Sequence, residues 1–284
     1  MKILVTGGNG FIGTHVIESL GRAGHFSIVL GRRDVGEIPG GSVFALADIR
    51  DYESVAESVS KVDGVIHLAA MVGTERSIRM PEAFVETNVL GSINVFDACR
   101  FFRKPCVYAS VGNVTDPNLY AISKFSAERL ALMYNKEHGT KIIVARIFNA
   151  YGEGQRIGVN DRLVPSAVSA ALQGKPIRVF GDGCQVDDFI YVKDVARLIV
   201  STIGNDQLDP LKVWHVGTGK GSRVIDVVEI ILRLTESKSE IVWVGQERPG
   251  DGVGAIKADP MMFPVPDYQF TSLDVGIKAL IASA

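Results

Sequence analysis

Cysteine is scarce in this 284-residue sequence, which contains only Cys99, Cys106 and Cys184. The spacing of these residues fits no metal-binding motif, and their odd number argues against a disulfide framework. We therefore expect reduced thiols, no metal site and a cytoplasmic protein.

Long hydrophobic runs and an excess of charge are also missing. No apolar run reaches the roughly 18 residues that a membrane-spanning helix needs, and the sequence enters a predicted strand at once, without a signal peptide. The 30 Lys and Arg residues nearly balance the 32 Asp and Glu residues, which gives a net charge of −2. A near-neutral chain has no strong electrostatic attraction for nucleic acid or for an anionic membrane. We expect a small-molecule substrate as its partner, with no nucleic acid and no membrane.

The first thirteen residues carry the clearest functional signal. Residues 3–5 form an apolar run that predicts a buried strand, and a helix is predicted over residues 11–23. Gly7 permits a sharp turn, Gly10 lets the backbone approach a pyrophosphate, and Gly13 lets helix and strand pack closely. The N–H groups at the helix N-terminus attract the anion. We therefore predict a dinucleotide site that includes Gly7, Gly10, Phe11, Ile12 and Gly13.

The end of the second predicted strand, residues 26–30, bears on the choice of dinucleotide. In a dinucleotide-binding sheet this point lies at the adenosine ribose, where an acidic residue binds the 2′-hydroxyl and an arginine accommodates a 2′-phosphate. The sequence there contains Arg32, Arg33 and Asp34. The two arginines favour NADP as the cofactor, and Asp34 leaves NAD open.

Two further predicted strands point to the same cofactor. The strand over residues 43–47 ends in Asp48, a candidate acceptor for the adenine amino group, with Ile49 beside it. The strand over residues 65–68 contains His67, which we interpret as a packed strand residue and not as a catalyst. The small residues after it would let the backbone approach the cofactor. The predicted contacts here are Leu68, Ala69 and Ala70.

The pair Tyr120 and Lys124 predicts the chemistry. Residues four apart share a helix face, so the Tyr120 hydroxyl and the Lys124 ammonium can reach one site. A free tyrosine has a pKa of about 10 and is a poor base at neutral pH. A nearby ammonium and a cationic nicotinamide both favour the phenolate, and lowering the pKa to about 7 requires roughly 4 kcal/mol. Because a strand over residues 106–109 ends next to Ser110, we predict Tyr120, Lys124 and Ser110 as the catalytic residues.

The order of predicted elements indicates the fold. Strands alternate with helices of crossover length, one of them over residues 81–102, which predicts a doubly wound parallel sheet with right-handed connections. Ligands bind at the carboxyl ends of the strands in such sheets. We predict an α/β protein in which residues 1–152 form a dinucleotide-binding domain to which 188–217 return. Residues 153–187 and 218–284 form a smaller α/β C-terminal substrate-binding domain.

Nine short stretches match motifs of a known family: residues 6–13, 67–70, 88–91, 120–124, 146–152, 181–183, 188–192, 216–219 and 248–251. Through them nearly the whole chain resembles the extended short-chain dehydrogenases/reductases, the Rossmann-fold family of nucleotide-sugar epimerases, dehydratases and ketoreductases. The resemblance implies that Tyr120 is the acid/base, that Lys124 binds the nicotinamide ribose and tunes Tyr120, and that Ser110 hydrogen-bonds the reacting oxygen. It further implies that Asn88 contacts the cofactor and Asn149 the substrate.

The segment after the fifth strand departs from the family pattern. The family usually has a Ser-Ser or Ser-Thr pair followed by Tyr-Gly, whereas residues 109–115 read Ala-Ser-Val-Gly-Asn-Val-Thr. A shift of one position would place Val111 in the catalytic position, and Thr115 or Asn113 could then substitute. The connection to the next helix is also shorter than usual. The 4,6-dehydratases remove water with an Asp-Glu pair, which Val111 and Gly112 cannot provide, so this route is disfavoured.

The substrate side shows a second departure. The family's diphosphate-binding arginine before Asp-Phe is replaced by Asp187, and Asp187 and Asp188 would repel a phosphate. Arg248 retains the other expected diphosphate contact. The predicted substrate contacts are Ser110, Asn149, Leu163, Phe180, Tyr191 and Arg248.

We therefore predict an NAD(P)-dependent epimerase or ketoreductase that transfers hydride at a secondary carbinol or ketone of a nucleotide-activated sugar. A reductase of a non-nucleotide carbonyl substrate is the alternative that Asp187 keeps open. A dehydratase and an NADP-sensing binding module fit less well, because a sensor has no need of Tyr120 and Lys124 together. By analogy with the family we expect a homodimer that pairs the helices over residues 81–102 and 120–138.

Overall fold

A seven-stranded parallel sheet forms the centre of the molecule. The computed structural model describes residues 1–33, 42–156, 162–245 and 255–284. The first half of the chain gives β1 (Lys2–Thr6), α1 (Phe11–Arg22), β2 (Phe26–Gly31), β3 (Val43–Leu46), α2 (Tyr52–Ser60), β4 (Gly64–His67), α3 (Thr74–Arg79), α4 (Pro81–Val85), α5 (Gly91–Phe102), β5 (Cys106–Val111), α6 (Leu119–His138) and β6 (Ile142–Ile147).

The second half contains shorter strands and four helices within the described residues. Its elements are β7 (Asn149–Tyr151), α7 (Leu163–Leu172), β8 (Ile177–Phe180), β9 (Val186–Asp187), β10 (Phe189–Tyr191), α8 (Val192–Thr202), β11 (Val213–Val216), β12 (Ser222–Arg223), α9 (Val224–Thr235), β13 (Ile241–Val244) and α10 (Leu273–Ala282). A 3₁₀ turn lies at Pro260–Met262.

The strand order of the large sheet is β11-β6-β5-β4-β1-β2-β3, and all its pairs are parallel. From β1 the chain continues to β2 and β3 on one side, while β4, β5, β6 and β11 lie on the other. The strand order therefore reverses next to β1. The crossover helices on the two sides of this point lie on opposite faces of the sheet, so a crevice opens between them at the carboxyl ends of the strands. The predicted doubly wound α/β fold is confirmed.

Helices cover both faces of this sheet, which explains why its strands are apolar runs and not alternating ones. On one face, strand residues such as Ile3 and Val107 pack under α1 and α8. On the other, strand residues such as Leu4 and Tyr108 pack under α2, α5 and α6. Because side chains alternate along a strand, neighbouring residues of β5 face different sets of helices.

A smaller hydrophobic core lies beside the large sheet. It joins α7, α9 and α10, with Val168, Val227 and Ile277 among its buried residues. Three two-stranded sheets accompany these helices: β7 with β10, β9 with β12, and β8 with β13.

Three features of the fold differ from the sequence prediction. The helical pattern over residues 81–102 is interrupted by a π-helical segment, Glu86–Leu90, which inserts extra residues into one turn. The short helix α3 lacks an apolar stripe that could have revealed it. Strand β13 has a half-exposed Trp243 and pairs with β8 at the edge of a two-stranded sheet, so its sequence shows no clear strand pattern.

Candidate active site

A cleft of about 1210 Å³ lies over the carboxyl ends of the large sheet's strands. The glycine turn after β1 and the ends of β2, β4 and β5 border one part of it. Segments from the second half of the chain border the other part. Most of the predicted site residues line this cleft: Gly7, Gly10, Phe11, Ile12, Gly13, Arg32, Arg33, Asp48, Ile49, Leu68, Ala69, Ala70, Ser110, Tyr120, Lys124, Asn149, Leu163 and Phe180.

The glycine turn has the shape that a dinucleotide pyrophosphate requires. Gly7 has φ +70°, and a Cβ on it would come within 2.8 Å of the Ala69 backbone. A Cβ on Gly13 would lie 2.3 Å from the Gly7 carbonyl oxygen. The Gly7 carbonyl accepts the Gly10 N–H at 3.0 Å, and α1 begins directly afterwards. The first-turn N–H groups of α1 have no intrahelical acceptor and face the cleft, so this turn fits an anionic diphosphate.

Positive charge is concentrated at the end of β2. Arg32 and Arg33 line the cleft there, and Arg32 Nη1 lies 4.0 Å from Asp48 Oδ2. Asp48 is held mainly by Arg50, whose Nη2 donates to Oδ2 at 2.8 Å. Burial opposes ionisation of Asp48, but the hydrogen bonds and charge of Arg50 outweigh it and lower the pKa of this carboxyl. Asp34 lies outside the described residues.

His67 is a packed residue, as the sequence indicated. It is completely buried, with Nδ1 2.7 Å from the Thr6 hydroxyl and Nε2 3.0 Å from the Ser92 hydroxyl. Burial, together with the charge of Lys124, lowers the pKa of His67 to about 3, so the imidazole is neutral. The Thr6 hydroxyl also accepts the Ala69 N–H at 3.2 Å and so fixes the backbone that borders the cleft.

The expected contact of Asn88 with the cofactor is wrong. The Asn88 side chain accepts the Met71 N–H at 2.7 Å and donates to the Met71 carbonyl and to the Ser123 hydroxyl, each at 3.0 Å. Through these hydrogen bonds the Asn88 amide holds the segment after β4 in place, and Asn88 does not line the cleft. Its neighbour Thr87 does.

Tyr120 and Lys124 lie on the first turns of α6 at the cleft wall, and both are buried. Asn118 caps this helix by accepting the Ala121 N–H at 2.9 Å. Lys124 Nζ lies 4.3 Å from the ring centroid of Tyr108, a cation–π contact. Burial lowers the pKa of Lys124 to about 7, against the opposing influence of the Glu128 carboxylate.

The predicted lowering of the tyrosine pKa is not present in the protein alone. Burial raises the pKa of Tyr120, and the charge of Arg162 acts in the opposite direction. Tyr120 packs against Val111 and makes an edge contact with the Phe84 ring at 6.4 Å. Such apolar surroundings favour the neutral phenol over the phenolate.

Ser110 borders the cleft, but its hydroxyl is bonded within the protein. Its hydroxyl donates to Glu128 Oε2 at 2.8 Å, and Glu128 also accepts from Arg146 Nε at 2.9 Å. Ser110 lies on the same side of β5 as Tyr108, the side that α6 covers, so that a carboxylate of α6 meets its hydroxyl. The one-position shift places Val111 beside Tyr120. Thr115 is exposed and does not line the cleft, whereas Asn113 lines it.

The predicted substrate residues divide in a similar way. Asn149, Leu163 and Phe180 line the cleft, but the hydroxyl of Tyr191 donates to Glu153 Oε1 at 2.7 Å within the smaller core. Tyr191 is therefore not a lining residue, and the prediction is wrong because Glu153 captures its hydroxyl. Arg248 lies outside the described residues.

Asp187 is the last residue of β9, Asp188 follows it directly, and the two aspartates have different surroundings. Asp187 lines the cleft. Asp188 is fully buried and accepts the N–H groups of Thr218 at 2.9 Å and Gly219 at 2.8 Å. It therefore cannot repel a ligand phosphate directly, which corrects the expectation for Asp188. Arg162, directly before α7, also lines the cleft, and the sequence analysis did not identify it because it belongs to none of the recognised motifs.

The sequence of the chain matches the profile of one protein family over most of its length. The profile of the NAD dependent epimerase/dehydratase family fits residues 3–217. The chain belongs to this family.

Among the relatives of this family member, UDP-N-acetyl-α-D-glucosaminuronate decarboxylase from Bacillus cytotoxicus is 30% identical over 273 residues, which cover 87% of this chain and 84% of the relative. The UDP-glucose 4-epimerase of Thermus thermophilus, solved in complex with NAD, has a TM-score of 0.88 at 27% identity and covers 100% of this chain and 98% of that one. The UDP-glucose 4-epimerase of Thermotoga maritima, solved with UDP-glucose, has a TM-score of 0.84 at 26% identity, with 100% and 98% coverage.

This NAD-dependent epimerase/dehydratase family member is an enzyme of the extended short-chain dehydrogenase type, and its relatives act on nucleotide sugars. Within the described ranges, no group of three or more His, Cys, Asp or Glu side chains could hold a metal ion. None of the helices in those ranges is long and apolar enough to span a membrane.

The buried ammonium predicts a pH-dependent cost to stability. The pKa of Lys124 falls from 10.5 to about 7 on folding, so between these values the unfolded chain binds more protons and stability rises with pH. We expect Lys124→Met to stabilise the cofactor-free protein by up to roughly 4 kcal/mol at about pH 6, and by much less at about pH 10.

Urea unfolding at both pH values measures this effect. The exposed Lys136, on the last turn of the same helix, supplies the control, and Lys136→Met should change stability by less than about 0.5 kcal/mol at either pH. Destabilisation of Lys124→Met at both pH values would show that the protein stabilises the ammonium.

Proposed function

We propose that this enzyme transfers hydride at a secondary carbinol of a nucleotide-activated sugar, with epimerisation as the overall reaction. One observation carries the proposal: Tyr120 and Lys124 line the same cleft as the glycine turn on one side and Asn149, Leu163 and Phe180 on the other. A cofactor on the glycine turn and a substrate beside Asn149 would therefore meet at Tyr120.

Tyr120 moves the proton in this reaction. Oxidation of a carbinol removes a hydride from carbon and a proton from oxygen, and a Tyr120 phenolate accepts that proton. A bound nicotinamide supplies the hydride acceptor and, when oxidised, a positive charge. Lys124 would hydrogen-bond the ribose of a bound nicotinamide, and its own charge would help to stabilise the phenolate. Returning the hydride to the other face of the carbonyl inverts the carbinol centre.

The assignment of a nucleotide sugar rests on the relatives and on the cleft. Solved neighbours contain NAD or UDP-glucose, and the cleft is large enough for a cofactor together with a sugar nucleotide. Arg162 at the start of α7 could contact a diphosphate even though Asp187 disfavours it. We propose that residues 153–187 and 218–284 form the substrate-binding half.

The residues at the end of β5 fit a dehydratase less well than an epimerase. Val111 and Gly112 provide no acid or base there, and the one carboxylate of the connection that lines the cleft, Asp116, accepts from Asn113 Nδ2 at 2.5 Å. Elimination of water needs both an acid and a base at the sugar.

A ketoreductase is the second candidate, favoured by Arg32 and Arg33. Both line the cleft at the end of β2, where a 2′-phosphate would lie. We propose a preference for NADP(H), which a net reductase would exchange in each turnover.

A self-association surface is also proposed. Ile122, Phe125 and Met133 lie along one side of α6 with more than a third of each side chain exposed, and Val85 and Leu90 add exposed apolar area nearby. Exposed apolar stripes of this kind mark interfaces. We propose a homodimer through this surface.

Replacement of Tyr120 tests the mechanism. We expect Tyr120→Phe to lower turnover by about 10²–10⁴-fold, because it removes the proton acceptor, while cofactor affinity is retained. Turnover is measured by NMR with UDP-, dTDP-, GDP- and CDP-sugars. Tyr134→Phe, on the same helix but outside the cleft, should keep turnover. Full activity of Tyr120→Phe, or no turnover of any sugar nucleotide by the unaltered enzyme, would contradict the proposal.

Cofactor preference can be tested at the end of β2. The double variant Arg32→Ala, Arg33→Ala should weaken NADPH binding by about 10-fold or more, since it removes charge-assisted hydrogen bonds, and leave NADH binding nearly unchanged. Fluorescence titration measures both. The exposed Arg22, at the end of α1, provides the control Arg22→Ala. Tighter binding of NADH than of NADPH by the unaltered enzyme would overturn the NADP preference.

The homodimer can be tested by placing a charge on the proposed surface. Phe125→Glu should convert the protein from dimer to monomer in light scattering, because an unpaired carboxylate would be buried in the interface. Met261→Glu, at an exposed methionine outside this surface, should remain dimeric. A monomeric unaltered protein would refute the pairing.

A further inference from the structure

Strand β5 offers no free hydroxyl donor to the cleft. The Ser110 hydroxyl is bonded to Glu128, Val111 packs on Tyr120, and Gly112 has no side chain. An oxygen that gains negative charge as its proton leaves is stabilised by hydrogen-bond donors aimed at it. The donor that accompanies Tyr120 must therefore come from another residue.

Asn113 is the side-chain amide in the connection between β5 and α6 that lines the cleft. Its Nδ2 donates to Asp116 Oδ2 at 2.5 Å, and Asp116 is 5% exposed. An ionised carboxylate only accepts hydrogen bonds, so the amide has to present its nitrogen, and not its oxygen, to Asp116. The same nitrogen carries a second hydrogen that it can donate to a ligand.

Backbone hydrogen bonds link Asn113 rigidly to the helix that carries Tyr120. The Asp116 N–H donates to the Asn113 carbonyl at 3.2 Å, and the Asn118 N–H donates to the Asp116 carbonyl at 2.8 Å. Asn118 in turn caps α6 through the Ala121 N–H. The amide and the phenol are thus the two ends of one short, hydrogen-bonded connection, an arrangement that keeps them in fixed relative positions.

We propose that Asn113 is a catalytic residue that donates from Nδ2 to the substrate oxygen deprotonated by Tyr120, and that Asp116 is its positioning residue. This inference rests on the proposed hydride transfer at a carbinol. The amide would replace a hydroxyl donor at the reacting centre, and Asp116 would keep its N–H pointed into the cleft.

The test separates transition-state stabilisation from simple substrate binding. Asn113→Ala should lower kcat by about 100-fold, as expected for loss of one such donor, while KM for the sugar nucleotide changes by less than about threefold. Asp116→Ala should have a similar effect on kcat. Asp116→Asn should retain most activity, because its amide oxygen can still accept from Asn113. Thr115→Ala is the control, since Thr115 is exposed in the same connection.

A rescue variant guards against a merely structural effect. Adding Val111→Thr to Asn113→Ala places a hydroxyl at the strand position next to Tyr120. The double variant should have a kcat at least about 10-fold higher than that of Asn113→Ala alone. Unfolding midpoints and cofactor titration confirm that each variant is folded. Unchanged kcat in Asn113→Ala, or a rise in KM alone, overturns the catalytic role of Asn113 and leaves the proposed function standing. Absence of sugar-nucleotide turnover by the unaltered enzyme overturns both.

Discussion

Burial of the Lys124 ammonium is the constraint on which the active site depends. The side chain is 4% exposed, its Nζ lies over the Tyr108 ring, and Glu128 follows one helical turn later. Glu128 is itself fully buried and is neutralised by Arg146, whose Nη2 donates to Oε1 at 2.5 Å. A buried charge is tolerated only with such partners. The contacts that hold Lys124 therefore also fix α6 against β5 and β6, and with α6 they fix Tyr120.

The cleft combines two kinds of physical environment. At the glycine turn, backbone N–H groups and the absence of Cβ atoms suit an anionic diphosphate. At Tyr120, apolar neighbours raise the pKa of the phenol, so a positive charge must arrive before it can act as a base. A cofactor that binds at the first place can supply that charge at the second. In the proposed function, cofactor binding and proton transfer would therefore be coupled through one cavity.

Local patterns in the sequence predict the parts of the site that depend on local geometry. Gly7 and Gly13 could be assigned because a turn and a close helix–strand contact exclude a Cβ, and Tyr120 and Lys124 because helical spacing puts them on one face. The positions of β1 to β5 in the large sheet followed from apolar runs bounded by helices.

Residues whose roles depend on distant partners could not be assigned from the sequence. Ser110 is bonded to Glu128, Asn88 to Met71 and Ser123, and Tyr191 to Glu153. No motif shows which polar group a folded chain will bring to a given hydroxyl or amide.

Tracing the carbinol hydrogen tests the central claim most directly. Enzyme loaded with oxidised cofactor is mixed with a UDP-sugar that carries deuterium on the carbinol carbon, the reaction is quenched within a single turnover, and the cofactor is examined by mass spectrometry. Hydride transfer predicts deuterium in the nicotinamide ring of the unaltered enzyme and none with Tyr120→Phe. Deuterium released to water instead would show that the carbon is deprotonated and would contradict hydride transfer.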